Sequence, residues 1–164
     1  MKVYRFDAKQ HIRSEFNCKE ESLTKYLTEQ VNQDIKKNLA ACFVIVDDTN
    51  KVDGYYTLSN DSISRFDIPQ KYQKKIPVTY DVPVTLLGRL AVCTSCEGNG
   101  FGEFLLLNAL ERCYLVSKQI GSMAVVVDPL NDSAIGFYLK YGFILLPDSG
   151  KMFLPMKTIA QLFS

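Results

Sequence analysis

The chain has 164 residues, of which 47% are hydrophobic and 23% charged, and this composition suits a single globular domain over residues 1–164. Its 19 lysines and arginines against 18 acids give a formal net charge of +1, which excludes a strong overall field for nucleic acids or anionic membranes. No stretch approaches the roughly 20 apolar residues of a membrane-spanning helix, and MKVYRFDAKQ lacks the apolar core of a signal peptide, so we expect a cytoplasmic protein.

The first half of the chain predicts a short strand, a helix and a β-hairpin, in that order. Lys2–Phe6 is typical of a strand, and apolar residues recur with helical spacing in EESLTKYLTEQVNQDIKKN. Two β-rich runs then flank the polar turn DDTNK in residues 41–59, which is the pattern of a hairpin. Residues 60–83 are mixed and contain prolines, so we expect a loop there with one helical turn at PQKYQKK.

The second half predicts alternating strands and helices. Val84–Cys93 is typical of a strand buried on both faces, and Gly88 within it marks a bulge or a close approach of the backbone. A helix over FGEFLLLNALERCYLVSKQ is expected to end at Gly121. The remaining elements are a strand at SMAVVVD, a short helix at NDSAIGFYLKYG capped by Asn131 or Asp132 and ended by Gly142, and strands at FILL and KMFLPM. This order predicts an α/β fold with an antiparallel hairpin in front.

The chain has five cysteines among apolar neighbours, an odd number that is typical of reduced thiols rather than a disulfide framework. Cys93 and Cys96 form a C-x-x-C pattern, which occurs in zinc sites and in redox centres. A zinc site needs further ligands, but His11 is the only histidine and there is no second C-x-x-C. No thioredoxin-like βαβ pattern surrounds the pair, so we expect neither a metal site nor redox chemistry.

Three glycines alternate along CEGNGFGEFLL, immediately before an apolar helix. Glycine suits positions where the backbone takes a positive φ or approaches a ligand closely. Because a helix N-terminus offers unpaired N–H groups and a partial positive charge, such a loop can hold a pyrophosphate. A Rossmann site is disfavoured because no acid ends a second strand about 20 residues later. A P-loop is excluded because no Gly-Lys-Ser/Thr follows the glycines.

This loop resembles the acyl-CoA signature of the GNAT family of N-acetyltransferases, Gln/Arg-x-x-Gly-x-Gly/Ala, at Gly100 and Gly102. Further blocks are similar to the tRNA-acetylating toxin branch of that family, namely GYYTLS, LLGRLAV, VVD, FY with YGF, and FLPM. They occur in the family's order from about Phe16 to Met156. The resemblance implies an α/β GNAT fold, in which a mixed central sheet with a splayed parallel strand pair is flanked by helices.

The resemblance also implies transfer of an acetyl group from acetyl-CoA, with roles for particular residues. The glycine loop would hold the pyrophosphate, the strand before it would pair with the pantetheine amides, and the Val92 N–H would bind the oxyanion. Tyr138 would act as the general acid, because a phenol of pKa about 10 can protonate a thiolate whose conjugate acid has a pKa of about 8.5. The implied cofactor-binding residues are Leu90, Ala91, Val92, Gly98, Asn99, Gly100, Phe101, Gly102, Asn131 and Phe137.

Several of these positions keep a second interpretation or depart from the family. Asn131 fits a helix cap as well as a cofactor contact, and Phe137 fits core packing. Glu97 stands where the family usually has Gln or Arg, and Cys93 where the branch usually has Asp. A carboxylate inside the loop would repel a pyrophosphate, so we expect the Glu97 side chain to point to solvent or to a basic neighbour.

The branch resemblance implies that the acceptor is the α-amino group of an aminoacyl-tRNA, which requires phosphate contacts. Arg89 on the central strand is either a buried ion-pair partner or an acceptor-phosphate contact. The other candidates, although charges of this kind more often form a solvated face, are Lys36, Lys37, Arg65, Lys71, Lys74 and Lys75.

The resemblance implies partners as well, namely a small DNA-binding antitoxin and a second copy of the chain in a homodimer. Two other functions fit the same residues. One is an acetyltransferase for a small-molecule or peptide amine, and the other is a CoA-binding relative without catalysis.

Overall fold

The computed structural model describes residues Met1–Phe163, and the strands of this part form a seven-stranded sheet. The strands are β1 (Tyr4–Arg5), β2 (Ala41–Val46), β3 (Val52–Ser64), β4 (Asp81–Val92), β5 (Ala124–Val127), β6 (Ile144–Leu145) and β7 (Met152–Pro155). The helices are α1 (Glu21–Lys25), α2 (Val31–Lys36), α3 (Gln70–Gln73), α4 (Phe101–Ser117), α5 (Asp132–Lys140) and α6 (Met156–Phe163). A π-helical turn (Tyr26–Gln30) joins α1 to α2, and 3-10 turns occupy Arg65–Asp67 and Thr94–Cys96.

The sheet is mixed, with the strand order β1-β2-β3-β4-β5-β7-β6. β4 and β5 run parallel, and β5 and β7 run antiparallel. Residues 85–87 of β4 lie opposite residues 125–127 of β5, where β5 ends. β4 continues to Val92, so its residues 88–92, called here the separated end of β4, extend past the part that pairs with β5. The predicted α/β class and the splayed parallel pair are therefore confirmed.

The chain divides into two compact units, and each unit is formed by two separate segments of the sequence. The first unit consists of Met1–Ser59 and Gly88–Ala109. Leu27 and Tyr55 are fully buried in its core. The Tyr55 hydroxyl donates a hydrogen bond to the carbonyl of Leu23 at 2.6 Å, which ties the helical segment before β2 to the sheet.

The second unit consists of Asn60–Leu87 and Leu110–Ser164. Its core gathers Val84 of β4, Val126 of β5 and Phe153 of β7. The paired part of the two parallel strands therefore lies in the core of this unit, whereas the separated end of β4 belongs to the first unit.

The prediction that the fourth strand, Val84–Cys93, is buried on both faces is met only in part. Val82 and Val84 are buried, but Pro83 between them and Gly88 further along are exposed. Successive side chains of a strand point to opposite faces. Leu87 and Ala91 are buried as well, at the opposite parity, so each face of β4 has both buried and more exposed positions. The predicted close approach at Gly88 is confirmed, because a Cβ there would lie 3.1 Å from the Thr57 hydroxyl oxygen.

The predicted end of the long helix at Gly121 is also wrong. α4 ends at Ser117, and Gly121 does not adopt the left-handed conformation of a glycine cap. The N–H groups of Gln119 and Ile120 both bond the carbonyl of Val116, so the last turn tightens and closes without glycine.

Regular structure extends beyond the predicted elements in the second unit. β3 continues to Ser64 and β4 begins at Asp81, where a loop was expected. Helix α6 follows β7 directly and was not predicted, although MKTIAQLF carries apolar residues at helical spacing and Ile159 among them is buried.

Candidate active site

The glycine loop, residues 97–102, connects the end of β4 to α4. Gly98 and Gly100 have φ values of 81° and 76°, which are conformations that favour glycine. A Cβ added at either position would meet no atom within 4 Å, so conformation rather than lack of space calls for glycine. Gly102 lies inside α4. The predicted need for positive φ is therefore confirmed for Gly98 and Gly100.

Hydrogen bonds fix this loop at both ends. The Asn99 Nδ2 donates to the Cys96 carbonyl at 3.1 Å, and the Phe104 N–H donates to the Gly100 carbonyl at 3.0 Å. Residues 98–100 are exposed. Because the first N–H groups of a helix have no intrahelical partner and the dipole is positive there, this exposed turn is suited to bind an anion such as a pyrophosphate.

The separated end of β4 precedes the loop in the same unit. Ala91 is 6% exposed and packs in the core of the first unit, while Leu90 and Val92 are half-buried. Among the described residues, β5 pairs with β4 only as far as Leu87, and the backbone groups of a strand without a partner on one side suit pairing with a ligand that carries amides. Amide groups are the hydrogen-bonding groups of pantetheine.

Glu97 at the start of the loop pairs with a lysine. Its carboxylate Oε2 lies 3.4 Å from the Nζ of Lys19, and both side chains remain substantially exposed. The prediction that Glu97 points to a basic neighbour is confirmed. The negative charge at this position is therefore partly offset by a cation within the same unit.

Helix α5, in the second unit, begins and ends as the sequence predicts. Asn131 caps it, because its Oδ1 accepts a hydrogen bond from the Ala134 N–H at 2.9 Å. Gly142, with a φ of 91°, ends it. The cap interpretation of Asn131 is thereby confirmed, and the cofactor contact at the same residue stays a prediction.

Tyr138 lies on α5 and is 8% exposed. Its ring makes edge contacts with those of Phe137 and Phe143, each at 5.2 Å between centroids. Burial raises the pKa of Tyr138 above its ordinary value, so the phenol keeps its proton throughout the neutral range. A general acid must carry its proton before the reaction begins, and Tyr138 does so at neutral pH.

Arg89 stacks on an aromatic ring instead of forming an ion pair within the described residues. Its guanidinium carbon lies 3.5 Å from the ring centroid of Tyr26, which is a cation–π contact. The Tyr26 hydroxyl donates to Asp34 Oδ2 at 2.8 Å, so the arginine, the ring and the carboxylate form one cluster. This arrangement favours a structural role, and a contact of Arg89 with acceptor phosphate stays a prediction.

Two of the candidate lysines line a pocket of about 710 Å³ in the second unit. Lys71 and Lys75 are joined there by Lys157 of α6, and none of the three forms an ion pair in the described part of the chain. The rest of the lining is mainly apolar and consists of Tyr72, Ile76, Met123, Pro155 and Met156. The pocket therefore combines a mainly apolar lining with three lysines that form no ion pair among the described residues.

The other basic candidates differ from one another in their surroundings. Arg65 Nε donates to the carbonyls of Gln73 and Ile76 at 3.1 and 2.6 Å, so this side chain braces the loop that it was predicted to share with the lysines. The remaining candidates are exposed, namely Lys36, Lys37 and Lys74.

Metal-ligand clusters and membrane-spanning helices were sought in the part of the chain that the structure describes. Within Met1–Phe163, no group of three His, Cys, Asp or Glu side chains is arranged to hold a metal ion. All five cysteines are free thiols. The helices of this part are too short or too polar to span a bilayer.

Comparison with known proteins decides the family. The model of the acetyltransferase (GNAT) family matches residues 7–143. The chain belongs to the GNAT family. It is therefore an N-acetyltransferase, and the co-substrate of this family is acetyl-CoA.

The relatives of this GNAT chain include a tRNA-acetylating toxin. It is 35% identical over 132 residues, 80% of this chain and 78% of the other, to a tRNA-acetylating toxin of Mycobacterium tuberculosis (strain ATCC 25618 / H37Rv). A crystal structure of a mutant of KacT is 34% identical with a TM-score of 0.92, covering 99% of this chain and 98% of that one. AtaT complexed with acetyl-methionyl-tRNAfMet is 30% identical with a TM-score of 0.91, covering 99% of each chain.

Two further solved structures hold the cofactor and a partner. AtaTR bound with acetyl-CoA is 28% identical with a TM-score of 0.87, covering 99% of this chain and 98% of that one. The complex of KacTA with DNA is 30% identical with a TM-score of 0.82, covering 99% of this chain and 97% of that one.

Lys157 is the member of the basic pocket that sequence reasoning missed. It lies on α6, far along the chain from Lys71 and Lys75, and the helix itself was not predicted. No local signal singles out this lysine. Only the packing of α6 against β5 and β7 brings it to the same pocket.

Proposed function

We propose that this GNAT enzyme is a toxin that acetylates the α-amino group of an aminoacyl-tRNA. The observation that carries the proposal is the likeness over 99% of the chain to AtaT complexed with acetyl-methionyl-tRNAfMet, together with 35% identity to a tRNA-acetylating toxin. A protein that acts on charged tRNA works in the cytoplasm, which agrees with the composition.

The amine of the acceptor attacks the thioester carbonyl, and negative charge develops on the carbonyl oxygen and then on the departing sulfur. The N–H groups of the glycine loop and of α4 hold the pyrophosphate, with Gly98, Asn99, Gly100, Phe101 and Gly102 as the loop residues. Leu90, Ala91 and Val92 pair with the pantetheine amides, and the Val92 N–H binds the oxyanion. Support comes from the positive φ values of the loop and the separation of this stretch from β5.

Tyr138 supplies the proton to the departing thiolate as general acid. Burial raises the pKa of Tyr138, so the phenol carries the proton that this role requires at neutral pH. The same shift makes complete proton transfer less favourable than for a free phenol, so the hydroxyl first stabilises the thiolate as a hydrogen-bond donor. Phe137 positions the phenol through the ring contact at 5.2 Å.

Lysines of the chain hold the phosphates of the tRNA. Lys71 and Lys75 are the best-placed candidates, because they lie at one pocket with Lys157 and have no ion-pair partner in the described residues. The relatives that occur with AtaR or KacA support a small DNA-binding antitoxin as the natural inhibitor of this chain. A homodimer remains an expectation from the family.

The proposal is tested by mass analysis of charged tRNA. Purified protein is incubated with acetyl-CoA and a set of aminoacyl-tRNAs, with the Tyr138→Phe protein as the matched control. We expect an added acetyl group on the aminoacyl moiety of at least one tRNA, and growth arrest on expression of the parent only. Acetylation of small amines without any aminoacyl-tRNA product would establish the small-amine alternative, and acetyl-CoA binding without any product would establish the non-catalytic one.

A further inference from the structure

The C-x-x-C pair sits in a tight turn immediately before the glycine loop. The turn is the 3-10 segment Thr94–Cys96, in which the Cys96 N–H donates to the Cys93 carbonyl at 2.9 Å. A hydrogen-bonded turn of this kind brings its first and last Cα atoms within about 7 Å. Disulfides span Cα distances of about 4.4–6.8 Å, so a turn of this kind is compatible with a disulfide between its ends.

Both sulfur atoms face the same surroundings. Cys93 belongs to the buried core of the first unit, and Cys96 packs against that core from outside. The Ser95 hydroxyl lies 3.4 Å from the Cys93 Sγ and 3.9 Å from the Cys96 Sγ. A single hydroxyl that contacts both sulfurs shows that the two thiols lie near each other at this turn.

The two thiols differ in access and in acidity. Burial opposes ionisation of Cys93, but hydrogen bonds from Ser95 and from the backbone at Asn17 lower its pKa overall. Burial and the nearby carboxylate of Asp53 raise the pKa of Cys96. Cys96 is half-buried, whereas Cys93 is 6% exposed. An oxidant can therefore reach Cys96, and the buried Cys93 ionises more readily and is placed to resolve the product.

The turn is connected to the glycine loop through one hydrogen bond. The carbonyl of Cys96 accepts from the Asn99 Nδ2 at 3.1 Å, and Gly98 lies between them with its positive φ. A disulfide between Cys96 and Cys93 would shift Cys96, and with it the carbonyl that holds Asn99, so it would disturb the conformation of the glycine loop.

We propose that Cys93 and Cys96 form a reversible disulfide that weakens acetyl-CoA binding by the adjacent glycine loop. The proposal rests on the loop's proposed role as the pyrophosphate site and is independent of the acceptor. It differs from the oxidoreductase chemistry that the sequence argues against, because the pair here regulates the loop and has no disulfide substrate to turn over.

The oxidant is a low-molecular-weight disulfide such as oxidised glutathione. The Cys96 thiolate attacks one of its sulfurs, forming a mixed disulfide and releasing one glutathione thiolate. The Cys93 thiolate then attacks the Cys96 sulfur, forming the protein disulfide and releasing the second glutathione thiolate. Each protein thiol gives up one proton, the protein loses two electrons, and the glutathione disulfide gains them.

The experiment combines peptide mass with calorimetry on the full chain. Trypsin releases the fragment Leu90–Arg112, which contains Cys93 and Cys96 and no other cysteine. After treatment with oxidised glutathione, we expect this fragment to lose two hydrogen masses and acetyl-CoA to bind at least about tenfold more weakly. Dithiothreitol should restore both values.

Two variants complete the test. Cys96→Ser should bind acetyl-CoA like the reduced parent and should not respond to oxidised glutathione. Cys18→Ser, a matched control at a cysteine outside the turn, should respond like the parent. If the fragment stays reduced, or if the disulfide form binds acetyl-CoA as tightly as the reduced form, the proposed switch is wrong. The proposed role of the loop in binding acetyl-CoA is then unaffected. Failure of the reduced parent to bind acetyl-CoA would overturn both the switch and the role of the loop.

Discussion

The two compact units contribute to the proposed function in different ways. The first unit contributes backbone groups, at the separated end of β4 and in the glycine loop. The second contributes side chains, with Tyr138 on α5 and Lys71, Lys75 and Lys157 around the pocket. Backbone groups in such a loop need positive φ values at certain positions, and glycine at those positions is visible in the sequence. Side chains instead need particular neighbours, and the fold brings these neighbours together from distant parts of the chain.

The largest expected effect comes from the phenol in the second unit. Tyr138→Phe removes one hydroxyl and keeps the ring contacts with Phe137 and Phe143. We expect kcat to fall by roughly 10²-fold or more, because a general acid contributes about that factor, while acetyl-CoA affinity is unchanged. Steady-state kinetics with calorimetry measure both. An unchanged kcat would remove Tyr138 from the mechanism.

The backbone conformation in the first unit is tested at Gly100. Gly100→Ala forces a residue with a Cβ to keep a φ of 76°, which costs about 1–2 kcal/mol and should weaken acetyl-CoA binding by roughly tenfold. Gly121→Ala is the matched control, because its Cβ also meets nothing within 4 Å and its φ is outside the left-handed region. Equal acetyl-CoA affinities of the two variants would show that the loop conformation does not matter for binding.

This contrast explains which parts of the molecule could be predicted from the sequence. The glycine loop, the Asn131 cap and the Gly142 stop follow local rules, and the structure bears out each of them at Gly98 and Gly100, at Asn131 and at Gly142. The hairpin of β2 and β3 follows from two β-rich runs and a polar turn. These features depend on neighbours in sequence, so a single chain carries enough information for them.

Features that depend on distant contacts could not be predicted. The exposure of Pro83 and Gly88 depends on what covers each face of β4, which a run of apolar residues does not reveal. The role of Arg89 depends on Tyr26, which the fold places 3.5 Å from its guanidinium carbon. Lys157 joins the basic pocket only because α6 packs where it does.

The basic pocket gives a smaller and more specific effect. Replacing Lys71, Lys75 and Lys157 together by alanine should weaken tRNA binding and flatten its salt dependence, by about 0.7 to 0.9 in the log–log slope for each lost phosphate contact. Acetyl-CoA affinity should stay the same. Binding measured from low to moderate salt gives the slope, and the exposed Lys2→Ala/Lys9→Ala pair is the control. A triple variant with the parent's slope would assign these lysines to a solvated surface.

The smallest effect is expected at Glu97, where the first unit departs from the family pattern. A carboxylate about 4 Å from a phosphate charge would cost about 4 kcal/mol at an effective dielectric of 20, which a working site does not tolerate. The ion pair with Lys19 at 3.4 Å gives the side chain another partner, and exposed pairs of this kind contribute only about 0–1 kcal/mol. Glu97→Gln should therefore change acetyl-CoA affinity by no more than about a few-fold.

A second variant, Lys19→Ala, makes the test sharper, because it leaves the Glu97 carboxylate without its ion-pair partner. If the carboxylate faces away from the ligand, calorimetry will give similar affinities for the parent, Glu97→Gln and Lys19→Ala. A parent that fails to bind acetyl-CoA, with binding restored by Glu97→Gln, would instead mean that the carboxylate blocks the loop and that the chain is a non-catalytic member of its family.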